Sequence, residues 1–217
     1  MKGTAVIAAA VVTIALLPRA GYAQDAARLS VGGTIEYARI TDDESFLGAG
    51  IGGAANVGWR LTDATAVEIE AGRTRHVRDL GLFAVAHDAQ GRIEPIPYTR
   101  RWEGAATFVV ATVAHTFGSG AVRPVVWGGG GLMSHGGTLR GPAAALQAPP
   151  GFTLQPGDAE TRRGARSRAG TIDGGVGFDV RVAPRVTLRP FAGLRLVSTG
   201  NVGPKYVVRT GLRVALR

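Results

Sequence analysis

Two acidic residues have a spacing that acid–base catalysis could use. Glu68 and Glu70 are two positions apart, so both carboxylates lie on one face if the segment is a β-strand. The two carboxylates of a glycosidase instead face each other across a cleft. Arg60 lies close by on the preceding predicted strand, so we interpret the two glutamates as ion-pair partners of arginine.

A glycine-rich segment has the spacing of a dinucleotide-binding fingerprint. It reads Gly48-Ala49-Gly50-Ile51-Gly52-Gly53. The fingerprint needs a strand before it, a helix after it and an acidic residue downstream. This segment lies inside an alternating strand pattern that no helix follows, so we expect its role to be structural.

Metal and thiol chemistry have little support in the sequence. The chain contains no cysteine, which excludes disulfides and cysteine-based metal or redox sites. The four histidines, His76, His87, His115 and His135, lack the spacing of metal ligands. We therefore expect neither a metal nor a cofactor.

The elements that must position all these residues are β-strands. The run from Tyr206 to Arg217 alternates between apolar and polar residues, and a period of two places the two sets on opposite faces of a strand. One face carries Tyr206, Val208, Thr210, Leu212, Val214 and Leu216, and the other carries Arg209, Gly211, Arg213 and Arg217. This pattern is typical of a barrel with lipid outside and a polar interior.

Eight such runs can be drawn, at residues 29–40, 46–61, 65–77, 101–117, 122–134, 171–182, 186–197 and 206–217. Three of their connections are turns of three or four residues, and two others are long loops at 78–100 and 135–170. Membrane barrels have short turns at one end and long loops at the other. The pattern predicts an all-β fold, an eight-stranded antiparallel up-and-down transmembrane β-barrel. The register of the fourth run stays open, because Phe108-Val109-Val110 is apolar on both faces.

The polar faces of the runs predict a charged interior. Eight strands enclose only enough space for side chains, so interior charges must pair. The predicted network consists of Glu36, Arg60, Glu68, Glu70, Asp173, Asp179, Arg189, Arg195, Arg209 and Arg213, with Glu103 and Arg181 on the same predicted faces. The last strand of a closed barrel pairs with the first, so we expect Arg209 and Arg213 to meet Glu36. The interior is then a salt-bridge plug and not an open pore.

The N-terminal residues have the pattern of a secretory signal peptide. Lys2 supplies a positive charge, residues 5–17 are apolar, and Gly21-Tyr22-Ala23 provides small residues at the cleavage positions. We expect residues 1–23 to be a cleaved signal peptide and residues 24–217 to form one barrel domain. The net charge of +9 favours anionic partners, and for an exported protein lipid phosphates fit better than nucleic acid.

Two segments resemble hairpins of a known family. Residues 117–132 read Phe-Gly-Ser-Gly-Ala-Val-Arg-Pro-Val-Val-Trp-Gly-Gly-Gly-Gly-Leu, and Gly-Gly-Val-Gly-Phe-Asp at 174–179 precedes Val-Thr-Leu-Arg-Pro at 186–190. They resemble two hairpins of the small outer-membrane β-barrel proteins, the OmpA-barrel/OmpX-like group. The resemblance implies an outer-membrane location, a monomer, insertion by the barrel-assembly machinery and no catalytic residues. The sequence departs from the group at Val125, where tyrosine is usual, and at Leu216-Arg217, where an aromatic residue is usual.

The longest predicted loop is rich in arginine. It contains Arg140, Arg162, Arg163, Arg166 and Arg168. Bidentate contacts from arginine suit the phosphates of lipopolysaccharide, so we expect these residues to bind lipid phosphates, the alternative being a solvated loop.

The predicted function is that of a non-enzymatic outer-membrane barrel with a role in envelope integrity or surface interaction. A narrow channel for small solutes and a soluble lipocalin-like binder with an apolar interior are alternatives. An outer-membrane lipid-modifying enzyme is a third, because Ser134-His135 invites comparison with lipid A deacylase. In that family Ser and Asn follow two residues after the His, whereas Gly136-Gly137-Thr138 follows His135 here, so the motif is missing.

Overall fold

The structure is a computed structural model that describes residues 29–40, 48–141, 146–154, 162–164, 166–199 and 202–217. The signal peptide expected at residues 1–23 lies outside these ranges. The strands are β1 (Leu29–Ile40), β2 (Ala49–Arg60), β3 (Thr65–Asp88), β4 (Ile93–Thr116), β5 (Val122–Arg140), β6 (Phe152–Leu154), β7 (Arg162–Arg163), β8 (Ser167–Ala183), β9 (Val186–Thr199) and β10 (Val202–Leu216). Among the residues described, no helix is long and apolar enough to cross a membrane.

Eight of the strands close into a barrel. The order around the sheet is β2-β1-β10-β9-β8-β5-β4-β3, and β3 pairs back onto β2. Every one of these pairings is antiparallel. The short strands β6 and β7 add to the outer parts of β3 and β5. The predicted eight-stranded antiparallel up-and-down barrel is therefore confirmed.

The stagger of the strands sets the tilt of the barrel wall. The paired residues lead once around the barrel from Ser30 through Gly58, Glu68, Thr112, Gly129, Asp173, Arg195 and Val207, and they return to β1 at Ile40. The path thus advances ten residues along β1, from 30 to 40. With a residue rise of ~3.3 Å and a strand spacing of ~4.8 Å, this stagger tilts the strands by roughly 40°, so each residue climbs about 2.5 Å along the axis.

The wall of the barrel is apolar outside and polar inside. Every barrel strand carries a large exposed apolar side chain, for example Ile35, Ile51, Ile69, Val109, Leu132, Ile172, Leu194 and Leu212. Charged residues are buried inside, among them Glu36, Asp173 and Arg209. A lipocalin-like binder has the reverse arrangement, because its interior cavity holds an apolar ligand.

The loop predicted at residues 78–100 is wrong. β3 and β4 continue as a paired ladder up to His87 and Ile93, and a tight turn with Gly91 at a φ of 76° joins them. Pro95 and Pro97 favoured a loop in the sequence, because proline cannot donate to a strand ladder. β5 pairs with β4 only as far as Arg101, so this part of β4 is an edge strand, where proline is tolerated.

The loop predicted at residues 135–170 is also shorter than expected. β5 continues to Arg140 and β8 begins at Ser167, so both strands extend beyond the predicted ends. The open register of the fourth predicted strand is now defined. Phe108 and Val110 are buried in the interior, and Val109 is exposed on the outer wall.

Candidate functional site: the charged interior and the arginine patch

Arg209 on β10 is the centre of the interior charge network. Its Nε donates to Glu36 Oε2 on β1 at 2.7 Å, and its Nη2 donates to Glu70 Oε1 on β3 at 2.8 Å. Its Nη1 donates to both carboxylate oxygens of Asp173 on β8, at 2.8 and 2.6 Å. Only 3% of the Arg209 side chain is exposed. One buried guanidinium thus joins carboxylates from three strands.

The network continues from this centre toward the short turns. Arg213 donates to Glu70 and to Glu68, so it links the centre to the next carboxylate below. Glu68 also accepts from Arg189 Nη1 at 2.9 and 3.1 Å. Arg189 Nε in turn donates to Asp179 Oδ1 at 2.6 Å. The result is a column of alternating charges along the barrel axis.

An aromatic ring and a second arginine fill the middle of the barrel. Arg195 donates to Asp173 Oδ2 from Nε at 2.9 Å and from Nη2 at 2.6 Å. Its guanidinium carbon lies 3.9 Å from the centre of the Phe108 ring, within the range of a cation–π interaction. Phe108 is fully buried. This contact places an apolar side chain in the path that a solute would have to take.

Neutral polar side chains donate further hydrogen bonds to two of the interior carboxylates. Thr74 Oγ1 donates to Glu36 Oε1 at 3.0 Å, and Thr34 Oγ1 donates to Glu70 Oε2 at 3.2 Å. Asn56 Nδ2 donates to Thr34 Oγ1 at 3.3 Å. Buried carboxylates retain their charge at lower cost when each oxygen accepts hydrogen bonds.

The structure brings nine of the ten predicted network residues into one chain of contacts. They are Glu36, Glu68, Glu70, Asp173, Asp179, Arg189, Arg195, Arg209 and Arg213. Arg213 contacts Glu68 and Glu70 rather than the expected Glu36. The tenth residue, Arg60, is half-buried at the turn end and makes no ion pair with any described residue.

The interior position expected for Glu103 is wrong. Gly104 and Ala106 are the buried residues of that part of β4, so Glu103 faces outward. Arg101 is two residues before Glu103 and lies on the same outer face. Arg181 pairs with the buried Thr187 and so lies on the inward face of β8, as expected, but its side chain is exposed at the turn end of the strand.

The outward Glu103 is the centre of what we call the arginine patch, formed by Arg75, Arg101, Glu103 and Arg140. The Glu103 carboxylate lies 3.2 Å from Arg140, 3.7 Å from Arg101 and 3.8 Å from Arg75. The three arginine side chains are 62%, 57% and 73% exposed. One carboxylate therefore neutralises only part of the charge of three solvent-facing guanidinium groups.

Only some of the five loop arginines predicted to contact lipid phosphates have described positions. Arg140 belongs to the arginine patch, and Arg166 and Arg168 are exposed at the start of β8. The side chains of Arg162 and Arg163 lie outside the described residues. The sequence prediction missed Arg75 and Arg101, which lie on the outer face of β3 and β4.

The motifs with catalytic spacing are used structurally. Ser134 and His135 are adjacent on β5, so their side chains leave opposite faces of the strand and cannot act as a nucleophile and its base. In the glycine-rich segment, a Cβ at Gly52 would lie 2.6 Å from the Arg73 backbone oxygen, so close strand approach needs the glycine. Among the described residues, no group of three or more His, Asp or Glu side chains could hold a metal ion.

Comparison with known proteins gives structural similarity only. No family model matches the chain, and no curated protein matches it. The N-terminal β-barrel domain of Pseudomonas aeruginosa OprF superimposes with a TM-score of 0.42 and 15% identity, covering 86% of this chain and 97% of that chain. Neisserial surface protein A gives 0.44 and 14%, covering 87% and 96%. Pseudomonas aeruginosa OprG gives 0.44 and 11%, covering 87% and 95%.

The assignment of the fold rests on this chain's own strand pairing. Eight antiparallel strands close with a ten-residue stagger, and their side chains fill the interior. Small OmpA- and OmpX-type barrels have the same strand number and a filled interior. The chain therefore has the fold of the small eight-stranded outer-membrane β-barrels, as the sequence resemblance predicted.

Proposed function

We propose that this protein is a non-enzymatic integral outer-membrane barrel that stabilises the envelope by holding lipid phosphates at its arginine patch. The observation that carries the proposal is an apolar outer wall with exposed arginines at its upper edge. The lipid-phosphate contacts expected from the loop arginines are here assigned to the patch, which includes Arg140.

The apolar wall has the height of a membrane. On β10 the outward side chains run from Leu216 to Tyr206, ten residues apart, and both ends are exposed apolar residues. At about 2.5 Å per residue this band is about 25 Å tall, which is the usual apolar height of an outer-membrane barrel. Trp59 and Phe117 near the turns and Tyr37 and Tyr206 near the other end are exposed aromatic residues of the interfacial type.

The arginine patch begins where the apolar band ends. By the same stagger and rise, Arg75 starts about 24 Å above Ser30 and Tyr206 lies at a similar height. Arg75 reaches from this level toward Glu103, which lies higher on β4. Long arginine side chains extend in this way from an apolar surface to the head-group region. By the same rise Arg101 and Arg140 lie about 12 and 16 Å above the end of the band, so they are placed to meet phosphates that are carried above the acyl chains.

The charge of the patch suits phosphate. Three arginines share Glu103, and Asp79 of β3 is paired with Arg101 on the same outer face, so this part of the wall keeps a net positive charge. Arg101 and Arg140 are directly paired across β4 and β5, and Glu103 is the one carboxylate that contacts both of them, so a second anion would relieve the repulsion that is left. Guanidinium groups bind phosphate bidentately, so lipopolysaccharide, with phosphates on its lipid and sugar parts, is the partner we propose.

A conducting channel is the second candidate function, and the interior argues against it. The described part of the barrel is crossed by the Arg209 contacts to three strands and by the stacked Arg195 and Phe108. A filled eight-stranded barrel is expected to show no steady single-channel conductance in planar bilayers. A stable conductance in wild-type protein would overturn this part of the proposal.

The membrane assignment is tested by fractionation and gel migration. The protein should be recovered with outer membranes and should migrate differently in SDS when it is unboiled than when it is boiled. Recovery as a soluble protein without a mobility shift would refute the membrane assignment.

The lipid partner is tested with the double variant Arg101→Ser and Arg140→Ser. Its matched control is Arg181→Ser with Arg185→Ser, two exposed arginines at the turn end. We expect lipopolysaccharide to raise the urea midpoint of the wild type and of the control in phosphatidylcholine vesicles. The double variant should lose at least half of that increase. An equal increase in all three proteins would refute lipid-phosphate binding at the patch.

A further inference from the structure

A polar pocket opens at the turn end of the barrel interior. It has a volume of about 40 Å³. Five arginines line it, from β2, β5, β9 and β10 and the residue after β10: Arg60, Arg123, Arg189, Arg213 and Arg217. Only three acidic residues line it, namely Asp63, Glu68 and Asp179. The pocket thus has two more positive than negative side chains, and it lies at the opposite end of the barrel from the arginine patch.

Two of the five arginines are already neutralised by contacts described above. Arg213 donates to Glu68, and Arg189 donates to both Glu68 and Asp179. Arg189 Nη2 also lies 3.3 Å from Asp179 Oδ2. Glu68 and Asp179 are thus already ion-paired, so neither carboxylate is available to neutralise the remaining arginines alone.

Among the described residues, no carboxylate lies at hydrogen-bonding distance from the other three arginines. Arg123 and Arg217 approach Asp179 Oδ2 only to 3.8 and 3.6 Å, beyond the range of an N–H···O hydrogen bond. Arg60 makes no ion pair with any described residue. Burial and the nearby positive charge of Arg60 lower the pKa of Arg217. The positive charges at the mouth of the pocket therefore exceed what Asp179 alone neutralises, and they attract a further anion.

These groups are not simply solvated surface charges. The side chains of Arg123 and Arg217 are only 14% and 23% exposed, and Arg60 is half-buried. Charges that are partly withdrawn from water attract an anion more strongly than exposed ones do. Each guanidinium has five N–H donors, and an oxyanion can accept two of them in parallel.

We propose that Arg60, Arg123 and Arg217 form a binding site for a phosphate group at the turn end of the barrel. The three side chains enter from β2, β5 and the residue after β10. Donors from three directions suit a tetrahedral anion better than a planar carboxylate, which two guanidinium groups satisfy. The phosphate is free inorganic phosphate or the head group of an anionic lipid that reaches over the rim.

The test uses the folded full barrel in neutral detergent, titrated with inorganic phosphate against chloride at equal ionic strength. We expect saturable binding by calorimetry in the wild type. The variants Arg60→Gln and Arg123→Gln are made separately, so that a folding failure in one does not end the test. Each should weaken the binding of inorganic phosphate about tenfold, which is the effect of losing charge-assisted hydrogen bonds. Arg185→Gln, an exposed arginine on the adjoining turn, is the control and should bind like the wild type.

A second arm separates the two sources of phosphate. The same proteins are refolded into phosphatidylcholine vesicles with and without phosphatidylglycerol, and the urea midpoints are compared. An increase with phosphatidylglycerol that requires Arg60 and Arg123, without saturable binding of inorganic phosphate, assigns the site to a lipid head group. The proposal is wrong if the wild type neither binds inorganic phosphate nor gains a higher urea midpoint with phosphatidylglycerol. It is also wrong if both glutamine variants respond as the wild type does.

Discussion

Replacing Arg209 by methionine should strongly destabilise the barrel. The substitution keeps most of the apolar stem and removes the guanidinium that contacts three carboxylates. Asp173 would keep Arg195, and Glu70 would keep Arg213. Among the described residues, Glu36 would lose the arginine that is hydrogen-bonded to it and keep the hydrogen bond from Thr74.

The expected loss in the free energy of unfolding follows from the number of carboxylates that lose their arginine. One carboxylate is left buried without a positive partner, and Glu36 is only 1% exposed. Removing one partner of a buried ion pair costs about 3–5 kcal/mol, because the remaining charge is uncompensated. Since two of the three carboxylates keep an arginine, we expect a loss of about 3 kcal/mol in the free energy of unfolding.

The assay is urea unfolding from phosphatidylcholine vesicles, followed by the fluorescence of Trp59, Trp102 and Trp127. Arg185→Met, on an exposed turn, is the control and should change stability by less than about 0.5 kcal/mol. Adding Glu36→Gln to the Arg209 variant removes the unpaired charge and should recover part of the loss. A loss equal to that of the control, or no recovery in the double variant, would refute the argument.

Three further outcomes are expected from the barrel wall. Gly129→Val should prevent folding, because a Cβ there would lie 2.0 Å from the Ala111 backbone oxygen, whereas Gly128→Ala meets nothing within 4 Å and should fold, as gel migration will show. Leu212→Arg, on the outer wall, should cost about 2–4 kcal/mol in vesicles, and an unchanged urea midpoint would contradict lipid exposure there. Replacing residues 80–98 by a short turn should leave the heat-dependent gel shift intact, because that hairpin extends beyond the residues that β2 and β5 pair with.

The strands of the barrel were largely predictable from alternation, and the misses have physical causes. β1 matches its predicted run, because the apolar Leu29, Val31, Ile35 and Tyr37 alternate with the polar Ser30, Thr34 and Glu36. The upper parts of β3 and β4 were missed because Pro95 and Pro97 are compatible with an edge strand as well as with a loop. Glu103 was misplaced because Phe108-Val109-Val110, which is apolar on both faces, left the register of that run undefined.

The charge pairing was only partly predictable. Alternation assigns a residue to the interior, but the stagger decides which interior residues reach the same height. A ten-residue stagger brings Asp173 of β8 and Glu36 of β1 to the height of Arg209, although they are 36 and 173 positions away in sequence. The same stagger directs Arg213 to Glu68 and Glu70. No single-strand pattern contains this information.

The position of Arg209 on β10 has a consequence for assembly. Its carboxylate partners lie on β1, β3 and β8, so the network is complete only when β10 docks against β1. A barrel that has not yet closed exposes unpaired carboxylates, and a closure shifted by two residues moves Arg209 about 7 Å along the strand from its partners. The charge network therefore stabilises only the closed barrel with the correct register. Folding that depends on such distant contacts is expected to be slow and cooperative.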